Sequence, residues 1–317
     1  MGTFSLLHPP SPAPPPPRLQ CAGRVLSLEH PVVMGVINVT PDSFSDGGQF
    51  GSVAEAVARG EELAAQGAQI LDVGGESTRP GATPVELEEE LRRVLPVVEG
   101  LAARLGEGTL ISVDTSQPEV MRRAADAGAA MINDVRALRA PGALQAAAAS
   151  SLGICLMHML GEPATMQQAP EYADVVGEVR DFLAARVQAC LTAGIARERL
   201  CVDPGFGFGK RLGHNLQLLR RLDALAVLGL PVLVGVSRKA MSGALAARGR
   251  GGQPASGTAP SPPPAPGQRL AASLALACLA LLKGARILRA HDVAATVDAL
   301  RVVDAVYGTA VADGEDG

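Results

Sequence analysis

A chain of 317 residues with 47% apolar and 19% charged residues can bury a substantial core, which excludes a disordered protein. Its net charge of -4, without a long basic run, excludes a sequence-independent attraction to nucleic acid or to an anionic membrane; a small molecule is the expected partner. Five cysteines (Cys21, Cys155, Cys190, Cys201 and Cys278), odd in number, scattered and set mostly in apolar segments, read as reduced thiols acting as small hydrophobes in a cytoplasmic protein.

In chain order, residues 1–24 begin MGTFSLLHPPSPAPPPPRLQC, without the basic start or apolar stretch of a signal peptide; the prolines predict a disordered, polyproline-type tail. Apolar runs bounded by Gly, Pro or Asp then predict eight strands: 32–38 (VVMGVIN), 70–74 (ILDVG), 110–115 (LISVDT), 131–135 (MINDV), 153–159 (GICLMHM), 200–205 (LCVDPG), 232–238 (VLVGVSR) and 286–291 (RILRAH). They are near-continuously apolar, as parallel strands buried on both faces are. Helical patterns lie between and after them, at 52–66, 84–105, 117–127, 142–150, 173–193, 214–228, 268–283 and 293–306. The apolar window at Leu270 to Leu282 is too short and Ala-rich to cross a membrane and suits a buried helix.

Eight strand–helix alternations without hairpin signals predict a single-domain α/β fold, a (β/α)8 TIM barrel over residues 25–309. The segment 248–269, RGRGGQPASGTAPSPPPAPGQR, reads as a low-complexity surface insertion, and 310–317 as an acidic C-terminal tail. A doubly wound sheet is the alternative, but it would carry a Gly-rich GxGxxG after the first strand, where NVTPDSF stands instead.

Nearly every strand ends in polar residues, at the end where a barrel assembles its active site. They are Asn38, Asp72 with the GGESTRPGA loop, Asp114, Asn133 with Asp134, His158, Asp203, Ser237-Arg238-Lys239, and Arg289 with His291. Taken singly, Asp114 could cap the following helix, Asn133 could close an Asx-turn, Asp203 could start a turn, His158 could be a satisfied core histidine, and His214 could be a cap. Their convergence on one face favours a site. Carboxylates and an amide suit a planar heterocycle rich in N–H donors, while Arg79, Lys239, Arg289 and His291 suit phosphate. Lys210 and Lys239, two of only three lysines, also fall in these strand-end motifs.

The segments NVTPDSFSDGG (38–48), ILDVGGESTRPGA (70–82), SVDTSQP (112–118), INDV (132–135), MHM with PATMQ (157–167), DPGFGFGK (203–210), GVSRK (235–239) and ILRAHDV (287–293) together resemble dihydropteroate synthases, pterin-binding barrel enzymes of folate synthesis. The resemblance spans roughly residues 25–307. It implies condensation of (7,8-dihydropterin-6-yl)methyl diphosphate with 4-aminobenzoate, giving 7,8-dihydropteroate and diphosphate. By the same resemblance Asp114, Asn133, Asp203 and Lys239 hold the pterin, Asn38 binds Mg2+ together with the diphosphate, and Arg289 and His291 bind the diphosphate, Arg289 also packing on the pterin. Thr78 and Arg79 match loop residues near the reacting carbon, and Pro80, Phe208 and Ser237 the walls of the aminobenzoate pocket. C–O cleavage runs ahead of amine attack in the family, which makes Asp46 and Asp114 candidate stabilisers of a pterin cation and Arg79 and Lys239 further catalytic candidates. A homodimer is the family's habit. Two alternatives stay open: a pterin-dependent methyltransferase, against which the STRPG and SRK segments speak, and a non-catalytic pterin-binding paralogue.

Overall fold

Along each predicted strand every second residue steps from apolar to polar in the chain direction, and a closed barrel turns that period of two into layers. The computed structural model describes residues 17–39, 49–77, 85–163, 165–250 and 264–307, the backbone alone at 49–52 and 248–250. Its elements are β1 (Arg18–Cys21), β2 (Arg24–Ser27), β3 (Val32–Asn38), α1 (Gln49–Ala65), β4 (Ile70–Gly74), α2 (Leu87–Arg104), β5 (Leu110–Asp114), α3 (Pro118–Asp126), β6 (Met131–Asp134), α4 (Ala143–Ala149), β7 (Gly153–Met157), α5 (Val175–Thr192), β8 (Leu200–Asp203), α6 (Leu212–Arg220), β9 (Val232–Gly235), α7 (Ala240–Arg250), α8 (Leu270–Leu282), β10 (Ala285–Ala290) and α9 (Val293–Tyr307). Strands β3 to β10 close in sequence order, β10 pairing with β3, and all pairs are parallel. This is the (β/α)8 barrel expected.

Outward positions such as Leu71, Val73, Val113 and Ile132 pack against the helices, whose buried stripes include Leu91, Val94, Val98 and Leu101 of α2. Inward positions at the N-terminal ends of the strands (Met34, Ile70, Leu110, Met131, Cys155, Cys201, Leu233 and Ile287) form a second apolar cluster, the floor of the barrel. Three cysteines, Cys21, Cys155 and Cys201, are buried in that floor, their thiols unpaired.

The floor corrects the reading of residues 1–24 as a disordered tail where it reaches residues 17–24; residues 1–16 lie outside the described residues. Residues 18–27 form an antiparallel hairpin, its turn at Ala22 (φ 51°) and Gly23 (φ 78°). Two positive φ values match the strand twist, as in a type I′ turn. Leu19, Cys21 and Leu28 are fully buried against the floor residues, and Ala22 N donates to Ser151 O at 2.9 Å. The fit is tight: a Cβ on Gly153 would lie 2.5 Å from Cys21 Sγ. An Ala-Gly turn beside a proline run carries little hairpin signal, and alternation over four residues is too short to register.

Two further differences concern helices. The pattern at 214–228 is divided into α6 and a 3-10 stretch over 222–228. Helix α7 starts directly after Lys239 and runs into the first residues of the predicted 248–269 insertion. Residues 264–269 include a 3-10 turn leading into α8; 251–263 and 310–317 lie outside the described residues.

Candidate active site at the barrel mouth

The inward step of two builds the site from its floor upward. Ile70 leads to Asp72, Leu110 to Ser112 and then Asp114, Met131 to Asn133, Cys201 to Asp203, and Ile287 to Arg289. Register aligns the upper layer: Asn38 opposes Gly74, Gly74 opposes Asp114, and Asp114 opposes Asn133.

Asp72, wholly buried, is the hub. Its Oδ1 accepts from Ser112 Oγ at 2.7 Å, and its Oδ2 accepts from Asn133 Nδ2 at 3.0 Å and Arg289 Nε at 2.6 Å. Arg289 Nη2 reaches Asp114 Oδ2 at 3.2 Å, so one guanidinium serves two carboxylates. The donors converge on Asp72. Burial, then the neighbouring charge of Asp72, pushes the Asp114 carboxyl well above the usual range, with Arg289 opposing. Asn133 has spent its amide N–H on Asp72, and its Oδ1 is buried without a hydrogen-bond partner.

Across the mouth, Lys239 Nζ donates to Phe206 O at 2.6 Å and stands 4.6 Å over the Phe208 ring. Burial lowers its ammonium to about 8, with Asp203 opposing and Arg289 reinforcing the shift. Asp203 Oδ1 accepts from Gly205 N at 2.7 Å, and burial raises this carboxyl. Phe208 packs against Val135, Met157, Met159 and Met166. Ser237 Oγ accepts the backbone N–H of His291 at 3.2 Å and lies 3.1 Å from His291 Nδ1. Arg238 turns away: it holds a left-handed φ of 58° and ion-pairs with Asp292.

The structural alternatives are thereby decided. Helix α3 is capped at Gln117 without a side-chain bond, so Asp114 is no cap. Asn133 bonds across strands rather than within a turn. Asp134 is the local turn acid, accepting from Arg136 N and Leu138 N and from Ser116 Oγ. Asp203 does both, turning the chain at Gly205 while facing Lys239. His158 is a buried histidine, edge-on to Phe182, and His214 Nδ1 accepts from Arg211 N at 3.3 Å in the first turn of α6. Lys210 does not face the mouth; backbone carbonyls enclose its ammonium.

Asn38, Asp114, Asn133, Asp203, Phe208, Ser237, Lys239, Arg289 and His291 thus meet at the strand ends. Asp46, Thr78, Arg79 and Pro80 lie outside the described residues. Asp72 stood among the predicted strand-end residues but was given no role, and Ser112 beside it was left out, although the period-two step from Ile70 pointed Asp72 inward. Glu90 was also missed. Buried in the first turn of α2 beneath Gly75, its carboxyl is raised to about 7 by burial, with Thr115 opposing the shift.

Among the described residues no group of three His, Cys, Asp or Glu could hold a metal ion. Asn38 offers the mouth a neutral amide oxygen beside the segment 40–48. That donor suits a hard cation held chiefly by phosphate oxygens, as Mg2+ is when it binds through one or two protein ligands.

A family model described as pterin binding enzyme matches residues 34–291. The dihydropteroate synthase of Escherichia coli K12 is 52% identical over 288 residues, covering 91% of this chain and 96% of the relative. A solved structure of Xanthomonas albilineans dihydropteroate synthase with 4-aminobenzoic acid shares 55% identity at a TM-score of 0.81, covering 92% of this chain and 98% of that one. Another from Xanthomonas albilineans, in complex with 7,8-dihydropteroate, shares 49% identity at a TM-score of 0.77, with the same coverage.

Proposed function

The chain belongs to the pterin-binding enzyme family, and from that premise we infer that it is a transferase that joins (7,8-dihydropterin-6-yl)methyl diphosphate to 4-aminobenzoate, releasing diphosphate and giving 7,8-dihydropteroate for tetrahydrofolate biosynthesis. The observation that carries the reading is Asn133 Oδ1, a buried acceptor without a donor at the barrel mouth, on a side chain that lies beside Asp114 in register and whose Nδ2 is held by Asp72. Such an atom is costly unless a ligand supplies an N–H. An amino-pyrimidinone edge supplies several.

Asp114, Asn133 and Asp203 accept from the N–H groups of the pterin, and Lys239 donates to its oxygen and ring nitrogens. Arg289, its Nε held by Asp72, presents the guanidinium plane to the ring. His291, oriented by Ser237, joins Arg79 and Thr78 at the diphosphate. The methylene C–O bond breaks as diphosphate leaves, the aminobenzoate nitrogen bonds to the same carbon, and the amine loses a proton. Asp46 and Asp114 stabilise the positive pterin between those events; Arg79, Arg289, His291 and Lys239 offset the negative charge that develops on the leaving group. Phe208 with its methionine neighbours, Pro80 and Ser237 wall the aminobenzoate. Asn38 contributes an oxygen to Mg2+, which when bound neutralises the diphosphate oxygens.

Mixing the protein with the dihydropterin diphosphate, 4-aminobenzoate and Mg2+ tests the reading. Diphosphate release that requires both substrates, with formation of dihydropteroate, is expected. No release, or release that ignores the amine, overturns it and favours a binding-only protein.

The protein acts as a homodimer in the cytoplasm. Support for the first is the apolar exposure of neighbouring helices, Leu279 and Leu282 on α8 with Val302, Val306 and Tyr307 on α9. Support for the second is the unpaired thiols. No helix among the described residues is long and apolar enough to cross a membrane.

A further inference from the structure

The loop after β8, residues 203–210, bends through three left-handed glycines, Gly205 (φ 69°), Gly207 (φ 83°) and Gly209 (φ 60°). A Cβ on Gly205 would stand 1.9 Å from His158 O, and one on Gly209 2.5 Å from Leu160 O, so the bend presses against the chain leaving β7. Every turn of such a loop presents backbone groups that need partners. Asn215 accepts from Gly207 N at 2.8 Å and donates to Lys210 O at 3.1 Å; Tyr172 OH donates to Gly209 O at 2.9 Å.

The inner carbonyls are taken by one side chain. Lys210 Nζ, 3% exposed, lies 2.9 Å from Gly205 O, 3.0 Å from Phe208 O, 2.9 Å from His158 Nδ1 and 3.4 Å from His158 O. Among the described residues no carboxylate comes within ion-pairing distance of it. Burial lowers the Lys210 ammonium well below its usual range, with Asp203 opposing, while four acceptors facing one nitrogen favour its three protons, because a neutral amine would turn its lone pair towards one of them. Burial, then the charge of Lys210, holds His158 neutral by lowering its pKa to about 3. Its Nδ1 is therefore the acceptor and its Nε2 carries the proton.

The same loop carries two parts of the reaction site: Phe206 O anchors the Lys239 ammonium at 2.6 Å, and the Phe208 ring lies beneath it at 4.6 Å. We propose that Lys210 is a positioning residue of the reaction: by tying the carbonyls of Gly205 and Phe208 to His158, it sets Phe206 O under Lys239 and the Phe208 ring against the aminobenzoate. The proposal rests on the functional reading above. Without these bonds the ring wall and the Lys239 anchor lose their fixed separation, which weakens substrate capture ahead of chemistry.

The test is Lys210→Met, which keeps the stem and removes the donors. With active sites titrated, KM for 4-aminobenzoate is expected to rise about tenfold, while kcat per folded site falls by less than about threefold. A purely structural role would lower the folded fraction and leave KM unmoved, and that result overturns the proposal. If the variant does not fold, the wild-type protein serves. It has only three lysines, so lysine-selective 15N labelling gives three side-chain signals. Lys210 is expected to show a slowly exchanging ammonium whose signal moves on addition of 4-aminobenzoate; rapid exchange or an unmoved signal overturns the proposal. A wild-type protein that releases no diphosphate brings down the functional reading, and this one with it; turnover with an unmoved KM in the variant brings down this one alone.

Discussion

Arg289 Nε and Asp72 Oδ2 meet at 2.6 Å although 217 positions separate them in the chain. The contact spans the seam where β10 closes on β3, and through Asp72 it also orders Ser112 and Asn133. Replacing Asp72 leaves the Arg289 guanidinium with only its 3.2 Å contact to Asp114, so the loss should fall at or below the about 3–5 kcal/mol typical of breaking a buried pair. Asp72→Asn is expected to lower the urea midpoint accordingly and to weaken pterin binding, without any contact between Asp72 and the aminobenzoate. An unmoved midpoint would falsify the hub.

The raised Asp114 carboxyl and the lowered Lys239 ammonium give pterin affinity a defined pH response. N–H donors of the ligand require the Asp114 carboxylate, so affinity should climb as pH rises through the neutral range, by up to about tenfold per unit. Above about 8 Lys239 loses its charge and affinity should decline again. The empty protein follows the opposite trend. Because folded Asp114 retains a proton that the unfolded chain has lost, stability from this group falls as pH rises above about 4. Calorimetry in buffers of different ionisation enthalpy should show proton release on pterin binding at pH 7; proton uptake would contradict the assignment.

If Asn38 holds Mg2+ with the diphosphate, Asn38→Ala should raise the Mg2+ concentration for half-maximal rate by about an order of magnitude. High Mg2+ should restore most of the turnover. A lowered rate with unchanged Mg2+ dependence would assign Asn38 to packing.

Arg79→Ala should reduce kcat by about 100- to 1,000-fold, the usual effect of deleting one donor to developing negative charge. Pterin affinity, measured by fluorescence, should change much less. Equal losses in both would make Arg79 an anchor only.

Leu19→Ala tests the barrel floor, where a fully buried leucine seals the hairpin against the strands. Such a truncation typically costs about 2–5 kcal/mol. The melting temperature should fall while both KM values stay put, since the mouth lies at the opposite ends of the strands; a shifted KM would show that floor and mouth are coupled.

Most of the mouth was legible because a parallel strand writes its burial in every second residue: Asn133, Asp203 and Arg289 each follow an apolar residue by two, and Asp114 follows Leu110 by four through Ser112. Asp72 obeys the same rule, yet its partners come from β5, β6 and β10, and only closure of the barrel reveals that they converge. Lys210 shares a motif with true mouth residues, and sequence spacing does not tell an ammonium facing ligand from one facing carbonyls. The hairpin escaped because its two buried residues, Leu19 and Cys21, sit in four residues beside a proline run. The 3-10 break after Arg220 leaves the apolar pattern at 214–228 uninterrupted, so periodicity joined what the backbone divides.

The hairpin also orders events during synthesis. Its partners on the floor include β7 and β8, and Ala22 bonds to Ser151, 129 residues further on. At roughly 5–20 residues per second, the apolar side chains of the first strand emerge roughly 6–26 s before the surface that covers them exists. Leu19, Cys21 and Leu28 are thus among the earliest apolar residues of the described chain to leave the ribosome, and they stay uncovered for at least that interval. That interval gives a chaperone its opening, and shortening it by moving the hairpin to the chain's end, in a circular permutant, would give a nascent chain with less to protect.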